Sequence, residues 1–238
     1  MTRHFGALIP STNTTVEIEY SHLLPADVCQ AHYGRVLSAS RDKSPFSPPL
    51  EADVAYQSKL LATARVEIIA LIQTSACLFA DDYDETTCAR ITEHSGGLPA
   101  ITSAMAIGEA LKALGTRHVA LVSPYSEEVN ARARHYFESK HAVKIAALEG
   151  FAAKDSYMIG KLGPENARDA FQRIDRPEIE AFVVPGGNFP TMRSIPAWEA
   201  EFNKPVVTTN QACVWAILRR LDSKETIPGL GRLLEMPA

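Results

Sequence analysis

Cys77 is the residue whose type and position most directly suggest chemistry. It follows the apolar run 68–72 and a few small polar residues, where the pattern predicts the end of a buried strand and the start of a helix. A thiol in that place gains thiolate character from free backbone N–H groups and the helix dipole. A buried structural cysteine is the alternative, and it is the expected role of Cys29, Cys88 and Cys213.

A glycine pair marks the end of a second apolar run. Gly186 and Gly187 follow residues 181–185 and precede Asn188. Glycine lets a ligand approach the backbone closely, although a simple tight turn would use the same residues. Ligands of parallel α/β folds bind beyond the carboxyl ends of strands, so this pair and Cys77 both stand where a site is expected.

Polar residues follow two further predicted strands. Asn13 and Thr14, with the free N–H groups of a first helical turn, form a suitable site for a carboxylate. A capping box formed by Thr14 and Glu17 is the alternative. Tyr125, after the strand 117–123, is placed to donate a hydrogen bond to an oxyanion or a carboxylate, or it is simply a packed tyrosine.

Several chemistries lack a motif in this chain. It contains no G-x-G-x-x-G, Walker A, G-x-S-x-G or H-E-x-x-H sequence. Its four cysteines show no paired spacing, so we expect neither a disulfide framework nor a zinc site. With the nucleotide motifs missing as well, we expect no metal and no cofactor. None of its seven histidines lies in a strand-end turn, which leaves a Cys–His hydrolase without a visible base.

The composition is that of an ordinary globular protein of 238 residues. With 24 basic and 28 acidic side chains the formal charge is −4, and no basic cluster suggests nucleic acid as a partner. The amino terminus lacks the apolar core of a signal peptide, and no segment approaches about eighteen uninterrupted apolar residues. We therefore expect a cytoplasmic protein without a membrane partner.

The elements that must position these residues alternate between strand and helix patterns, which predicts an α/β fold with parallel sheets. Strands are predicted over 4–10, 28–36, 66–76, 98–103, 117–123, 143–151, 180–185 and 205–209. Helices are predicted from residue 14 and over 50–65, 104–114, 126–140, 165–175 and 211–221. The irregular stretch 38–50 is predicted to be a loop, which either covers a site or is a plain surface loop.

The order of elements repeats in two halves. Residues 9–12 and 122–125 each combine a strand end, a polar turn and the start of a helix, and the Cys77 turn then corresponds to the Gly186 turn. We predict two pseudo-symmetric domains, each with a parallel sheet of about four strands flanked by helices, around one active-site cleft. The predicted domains are residues 1–103 with 208–238, and residues 104–207.

Four motifs together resemble the maleate cis-trans isomerases of the Asp/Glu racemase superfamily, which also holds the arylmalonate decarboxylases. They are IPSTNTTVE at 9–17, SACL at 75–78, VSPY at 122–125 and PGLGRLL at 228–234. The resemblance covers essentially the whole chain and implies the fold, catalysis without a cofactor, and a homo-oligomer. It specifies the reaction less sharply, because one superfamily hosts several chemistries.

The resemblance also implies roles for individual residues. It makes Cys77 the first catalytic cysteine. The backbone of Leu78 and Phe79 would then hold a substrate carboxylate. Asn13 and Tyr125 match the substrate-binding asparagine and tyrosine of the family.

Two positions depart from the family pattern. The second cysteine falls at Gly186, beside Gly187 and Asn188, which are expected to shape that side of the pocket, and a further substrate-binding asparagine falls at Ser156. Racemisation by proton transfer needs an acid and a base on opposite faces of one carbon. A single thiol opposite a glycine therefore argues against a two-cysteine amino-acid racemase.

Three hypotheses remain open, each with a small carboxylate as the ligand. The first is a cofactor-independent isomerase of an unsaturated dicarboxylate such as maleate, in which Cys77 adds reversibly to the double bond while Tyr125 and Asn13 donate hydrogen bonds. The second is a decarboxylase or other lyase of a substituted malonate, which needs one proton donor and a stabilised enediolate. The third is a small-acid binding protein that has lost catalysis.

Overall fold

The structure is a computed structural model that describes residues 2–37 and 47–236. It contains two four-stranded parallel sheets. The first, in the order β2-β1-β3-β4, consists of β1 (Arg3–Pro10), β2 (Cys29–Val36), β3 (Ile68–Leu71) and β4 (Ala100–Thr102). The second, in the order β6-β5-β7-β8, consists of β5 (His118–Ser123), β6 (Lys144–Gly150), β7 (Ala181–Val184) and β8 (Val206–Thr208). The repeated order confirms the predicted fold of two pseudo-symmetric parallel sheets.

Helices follow nearly every strand along the chain. They are α1 (Val16–Leu23), α2 (Glu51–Thr63), α3 (Thr74–Cys77), α4 (Tyr83–His94), α5 (Ser103–Ala113), α6 (Glu127–His141), α7 (Ser156–Ile159), α8 (Pro164–Ile174), α9 (Ile195–Phe202), α10 (Thr209–Arg220) and α11 (Arg232–Glu235). A short 3₁₀ helix, Met192–Ser194, precedes α9. Within the described ranges, no helix has the length and apolar character needed to cross a membrane.

The central strands β3 and β7 are buried along their whole length, because their residues are apolar on both faces. The predicted strand 66–76 is too long at its carboxyl end. Pairing with β1 ends at Leu71, and α3 begins at Thr74, where small polar residues replace the apolar run. This early end decides which residue after β3 faces the site.

The first helix begins differently from the predicted capping box. Asn13 Oδ1 accepts hydrogen bonds from the backbone N–H groups of Thr15 (3.0 Å) and Val16 (2.9 Å). Glu17 instead forms an ion pair with Arg35 at 2.8 Å. Asn13 is therefore the residue that caps α1, because its short amide reaches the free N–H groups of the first turn.

The two halves share one core. Helix α5 follows β4 and α10 follows β8, and these two helices pack against each other. Helix α10 is buried over most of its length, as its apolar sequence predicts, and one buried cluster contains residues of both sheets. The ends of β4 and β8 coincide with the predicted domain boundaries, while the division into domains stays a prediction.

Most of the predicted loop 38–50 lies outside the described residues, which resume at Ser47. Ser47 is buried, and its carbonyl oxygen accepts a hydrogen bond from Nε2 of Gln73 at 3.0 Å. The described end of this segment thus lies against the turn that follows β3.

Candidate functional site

A small cavity opens at the carboxyl ends of β1, β3, β5 and β7. Its lining residues are Pro10, Thr12, Asn13, Ile72, Gln73, Thr74, Ser75, Tyr125, Ser156, Ile159, Gly186, Gly187 and Asn188. The four strand ends come from both sheets, so the cavity lies in the cleft between the two halves. This is where parallel α/β folds bind ligands.

The cavity brings together most of the residues predicted from the sequence. Those that line it are Asn13, Tyr125, Ser156, Gly186, Gly187 and Asn188. Those that do not line it are Cys77, Thr14, Leu78 and Phe79. The structure places the residues of this second group differently from the prediction.

Cys77 does not face the cavity. It is the last residue of α3 and is 0% exposed, and its Sγ donates to the backbone carbonyl of Gln73 at 3.6 Å. Burial raises the pKa of its thiol well above the ordinary value, and the nearby Asp84 carboxylate raises it further. The predicted thiolate character is contradicted, because a cysteine at the end of a helix receives no help from the helix dipole.

Gln73 is the residue that the turn after β3 presents to the cavity. Strand β3 ends at Leu71 and β7 ends at Val184, so the second residue beyond each end is Gln73 in the first half and Gly186 in the second. Both line the cavity. The correspondence of Cys77 with Gly186 is therefore wrong by about one helical turn. The residue directly after each apolar run, 68–72 and 181–185, is Gln73 in the first half and Gly186 in the second.

Gly186 sits in a backbone conformation that favours glycine. Its φ is +110°, and a Cβ atom built there would lie 3.0 Å from Cγ of Pro124. Its N–H donates to Oγ1 of Thr209 at 2.8 Å, which fixes the turn. The backbone is therefore directly accessible on this side of the cavity.

Hydroxyl groups converge beside the cavity. Oγ1 of Thr74 is 3.1 Å from Oγ of Ser103 and 2.9 Å from Oγ1 of Thr209. The Tyr125 hydroxyl shares a hydrogen bond with the Thr74 side chain, and burial raises the Tyr125 pKa. Tyr125 thus keeps its proton at neutral pH and is available as a neutral hydrogen-bond donor.

Asn188 joins the two halves across the cleft instead of offering its amide to a ligand. Its Oδ1 accepts from the backbone N–H of Thr14 (2.7 Å), while its Nδ2 donates to the Ser156 carbonyl (2.6 Å). Thr14 N–H is consequently occupied, which corrects its predicted role in binding a carboxylate. Asn13, by contrast, uses only Oδ1 in capping, and its Nδ2 donates to no described residue.

Leu78 and Phe79 lack the free backbone N–H groups predicted for them. Their N–H groups donate to the carbonyls of Ser75 (3.3 Å) and Ala76 (3.2 Å), within the turn that ends α3. The Phe79 ring faces outward, where the Arg132 guanidinium lies 4.9 Å from its centroid. The predicted carboxylate contact is therefore wrong for these two residues.

Glu19 supports the wall of the cavity and was not identified from the sequence. Its buried carboxylate accepts from the N–H groups of Thr191 (2.7 Å) and Met192 (2.8 Å) and from Nδ2 of Asn210 (2.6 Å). The same Nδ2 donates to the carbonyl of Gly187 at 3.1 Å. Burial raises the Glu19 pKa above its ordinary value. A glutamate on an amphipathic helix gives no sequence signal for such a role.

The lining is electrically neutral over the part of the chain that the structure describes: it contains no Asp, Glu, Lys, Arg or His. The same described residues contain no group of three or more His, Cys, Asp or Glu side chains arranged to hold a metal ion. What the cavity offers a carboxylate is therefore a set of neutral hydrogen-bond donors.

Comparison with known proteins identifies relatives over almost the whole chain. The family model of arylmalonate decarboxylase matches residues 5–234. The maleate isomerase of Alcaligenes faecalis is 25% identical, covering 98% of this chain and 96% of the relative. The maleate isomerase of Nocardia farcinica is 29% identical, covering 98% of this chain and 95% of the relative.

A solved structure shows the same architecture. It is a cysteine-to-serine mutant of the Nocardia farcinica maleate cis-trans isomerase with a covalently bound succinylcysteine intermediate, and it superposes with a TM-score of 0.88 at 26% identity over 100% of both chains. The resemblance predicted from the four motifs is thereby confirmed, and the predicted isomerase class is that of the curated relatives. The match of the family model over nearly its full length shows that the chain belongs to the arylmalonate decarboxylase family.

Proposed function

We propose that this chain is a cofactor-independent isomerase of a small unsaturated carboxylate of the maleate type. The observation that carries the proposal is the group of neutral donors in the cavity, with Tyr125 and Thr74 beside the open backbone of Gly186 and Gly187. Such donors stabilise a carboxylate that accumulates charge during a reaction. The maleate isomerases that match this chain along its length support the same reaction class.

The donors suit the chemistry of cis-trans isomerisation. A nucleophile that adds to one alkene carbon forms one new bond and moves the π electrons onto the carboxylate of the other carbon, which becomes an enediolate. The central bond is then single and rotates, and expulsion of the nucleophile restores the double bond in the trans form. Tyr125 and Thr74 stabilise the enediolate by hydrogen bonds, and no oxidant or cofactor is consumed.

Cys77 is the nucleophile of the sequence hypothesis, and it reaches the cavity only if its side chain leaves the Gln73 carbonyl. The test is a proton NMR time course with maleate, comparing wild type with Cys77→Ser and with Cys213→Ser, a fully buried cysteine of α10. If Cys77 supplies the thiolate, fumarate formation is lost in Cys77→Ser and retained in Cys213→Ser. Full turnover by Cys77→Ser would exclude Cys77 as the nucleophile.

A second candidate is a carboxy-lyase of a substituted malonate. It is favoured by the combination of intact oxyanion donors and a described lining that contains no cysteine. Loss of carbon dioxide from a malonate produces an enediolate directly and needs no nucleophile, only donors and a later proton. Conversion of phenylmalonate to phenylacetate in the same NMR assay would support this reaction, and a malonate panel that releases no carbon dioxide would contradict it.

A third candidate is a small-acid binding protein, favoured by the raised pKa of the buried Cys77 thiol. It predicts that succinate, the saturated analogue of maleate, binds in titration calorimetry while neither maleate nor phenylmalonate is converted. Turnover of either substrate would contradict it.

A further inference from the structure

Three buried hydroxyl groups meet beside the cavity. Thr74, Ser103 and Thr209 are the first residues of α3, α5 and α10, the helices that follow β3, β4 and β8. Oγ1 of Thr74 lies 3.1 Å from Oγ of Ser103 and 2.9 Å from Oγ1 of Thr209. Thr74 lines the cavity, whereas Ser103 and Thr209 are outside its lining and are 0% and 1% exposed. The group therefore connects the cavity to residues that do not line it.

The direction of these hydrogen bonds follows from a count of donors and acceptors. A hydroxyl group has one proton and two lone pairs. Within the described part of the chain, the Ser103 side chain has Thr74 as its one hydrogen-bond partner. If Thr74 donated to Ser103, the Ser103 proton would be buried without an acceptor, which is unfavourable. Ser103 is therefore the donor of this pair.

Thr209 is a donor to Thr74 for the same reason. Its Oγ1 already accepts a hydrogen bond from the backbone N–H of Gly186 at 2.8 Å. Among the described residues the other partner of this oxygen is Thr74, so the Thr209 proton has Oγ1 of Thr74 as its acceptor. A hydroxyl that accepts from a peptide N–H and donates onward is polarised, which strengthens the bond that it donates.

Thr74 thus accepts two hydrogen bonds and keeps one proton to donate. Ser103 and Thr209 fill both lone pairs of its Oγ1, so this oxygen is no longer an acceptor for a ligand. The third neighbour of the Thr74 side chain is the hydroxyl of Tyr125, which also lines the cavity. The Thr74 proton is therefore directed to the cavity side, toward the Tyr125 oxygen or an oxygen of a bound carboxylate.

We propose that Ser103 and Thr209 are positioning residues that hold the Thr74 hydroxyl as a fixed hydrogen-bond donor of the cavity. The proposal rests on the proposed function insofar as it takes the ligand to be a carboxylate whose charge grows during the reaction. A hydroxyl that can only donate suits such an oxygen, and it needs no reorientation when the charge develops. Neither positioning residue lines the cavity, and each acts through Thr74.

Neutron crystallography tests the direction of the hydrogen bonds without a substrate. In the deuterated wild-type protein, the deuterons of Ser103 and Thr209 should both lie on the lines that join their oxygens to Oγ1 of Thr74. The Thr74 deuteron should lie on neither line and point to the cavity side. A Thr74 deuteron directed at Ser103 or at Thr209 would overturn the proposal.

The kinetics of a Ser103→Ala variant test the contribution to the reaction. This change removes one of the two donors to Thr74, so Oγ1 of Thr74 regains an acceptor lone pair. With maleate we expect kcat to fall by about threefold to tenfold, the contribution of one neutral hydrogen bond, while KM changes little. A urea midpoint measured alongside shows that the variant is folded.

Thr209 provides a second pair of variants. Thr209→Val removes both the bond from Gly186 and the bond to Thr74, and it should lower kcat at least as much as Ser103→Ala. Thr209→Ser keeps the hydroxyl and should retain the wild-type kcat. The matched control is Thr116→Val, which removes a buried hydroxyl bonded to the Leu111 carbonyl outside the cavity lining and should leave kcat unchanged. An equal loss of kcat in Thr209→Ser and Thr209→Val would contradict the proposal.

Failure of the proposed function appears in a different measurement. If wild type does not convert maleate but the deuterons lie where they are expected, the isomerase is removed and the fixed Thr74 donor remains. If wild type isomerises maleate and both Ser103→Ala and Thr209→Val do so at the same rate, the isomerase remains and the positioning role is removed.

Discussion

At the scale of single residues, the cavity is defined by what Gln73, Gly186 and Tyr125 each present to it. Gly186 offers bare backbone, Tyr125 a protonated hydroxyl and Gln73 an amide side chain. Cys77 presents nothing to the cavity in this structure, because its thiol donates to the carbonyl of Gln73 within its own helix. The chemistry of the site therefore depends on neutral hydrogen bonds more than on a charged group.

Replacement of Gly186 by alanine should destabilise the protein by about 2 kcal/mol, since φ at +110° is strained for any residue with a Cβ and the new atom would press on Pro124. Gly115→Ala is the matched control: its φ is +70°, but nothing lies within 4 Å of its added Cβ. Urea denaturation of both variants separates the backbone cost from the contact with Pro124. If the Gly186→Ala protein were as stable as the Gly115→Ala protein, Pro124 would have moved away from the added Cβ without a loss of folding free energy.

Alkylation tests the state of the Cys77 thiol. Because burial raises its pKa, the thiol stays protonated at neutral pH, and the native protein should label very slowly with iodoacetamide at Cys77. Cys88 has a pKa raised to about 12 but is partly exposed, so it should label first as the pH increases. Mass spectrometry of tryptic peptides gives the order, and rapid labelling of Cys77 at pH 7 would reveal an open, thiolate-bearing conformation.

At the scale of elements, helix α1 is tied to the turn after β7 by two polar contacts. Asn188 connects the backbone before α1 to the start of α7, and Glu19 on α1 holds the backbone of Thr191 and Met192. These bonds fix the distance between the two sides of the cavity. Because one of these contacts is made by the buried Glu19 carboxylate, the connection is sensitive to pH.

Burial raises the pKa of Glu19 in the folded protein above its ordinary value. The protonated form is therefore favoured by folding, so the contribution of Glu19 to stability is complete at low pH and is lost as the pH rises through the folded pKa. Compared with the uncharged Glu19→Gln variant, wild type should lose stability as the pH rises above 4.5. Urea midpoints of both proteins across this range measure the effect, and parallel curves would show that Glu19 is not titrating there.

The elements themselves were predictable, since all eight predicted strands are present and most end within two residues of the predicted positions. The exception is the run 66–76, which was predicted to continue past the polar Gln73 although pairing with β1 ends at Leu71. That error moved the expected site from Gln73 to Cys77. The roles of Glu19 and Asn188 depend on contacts between residues over 170 positions apart, which no local pattern contains.

At the scale of the whole molecule, the two sheets are held together by shared apolar packing and by a buried polar contact between α4 and α6. Asp84 on α4 is 1% exposed, and its Oδ1 accepts from Oγ1 of Thr102 at 2.6 Å. Its Oδ2 accepts a hydrogen bond from the Tyr136 hydroxyl of α6, in the other half. The halves should therefore unfold together in a single transition.

Removal of the Tyr136 hydroxyl tests this connection. Tyr136→Phe removes the hydrogen bond to Oδ2 of the buried Asp84 carboxylate and leaves the Lys140 ammonium 3.9 Å from that oxygen, which should cost about 1 to 3 kcal/mol. The exposed Tyr157→Phe is the control and should change little. Urea unfolding followed by both fluorescence and far-UV circular dichroism should show one coincident transition, shifted to lower urea in Tyr136→Phe. Two separated transitions in that variant would mean that this single bond, and not the shared apolar core, couples the halves.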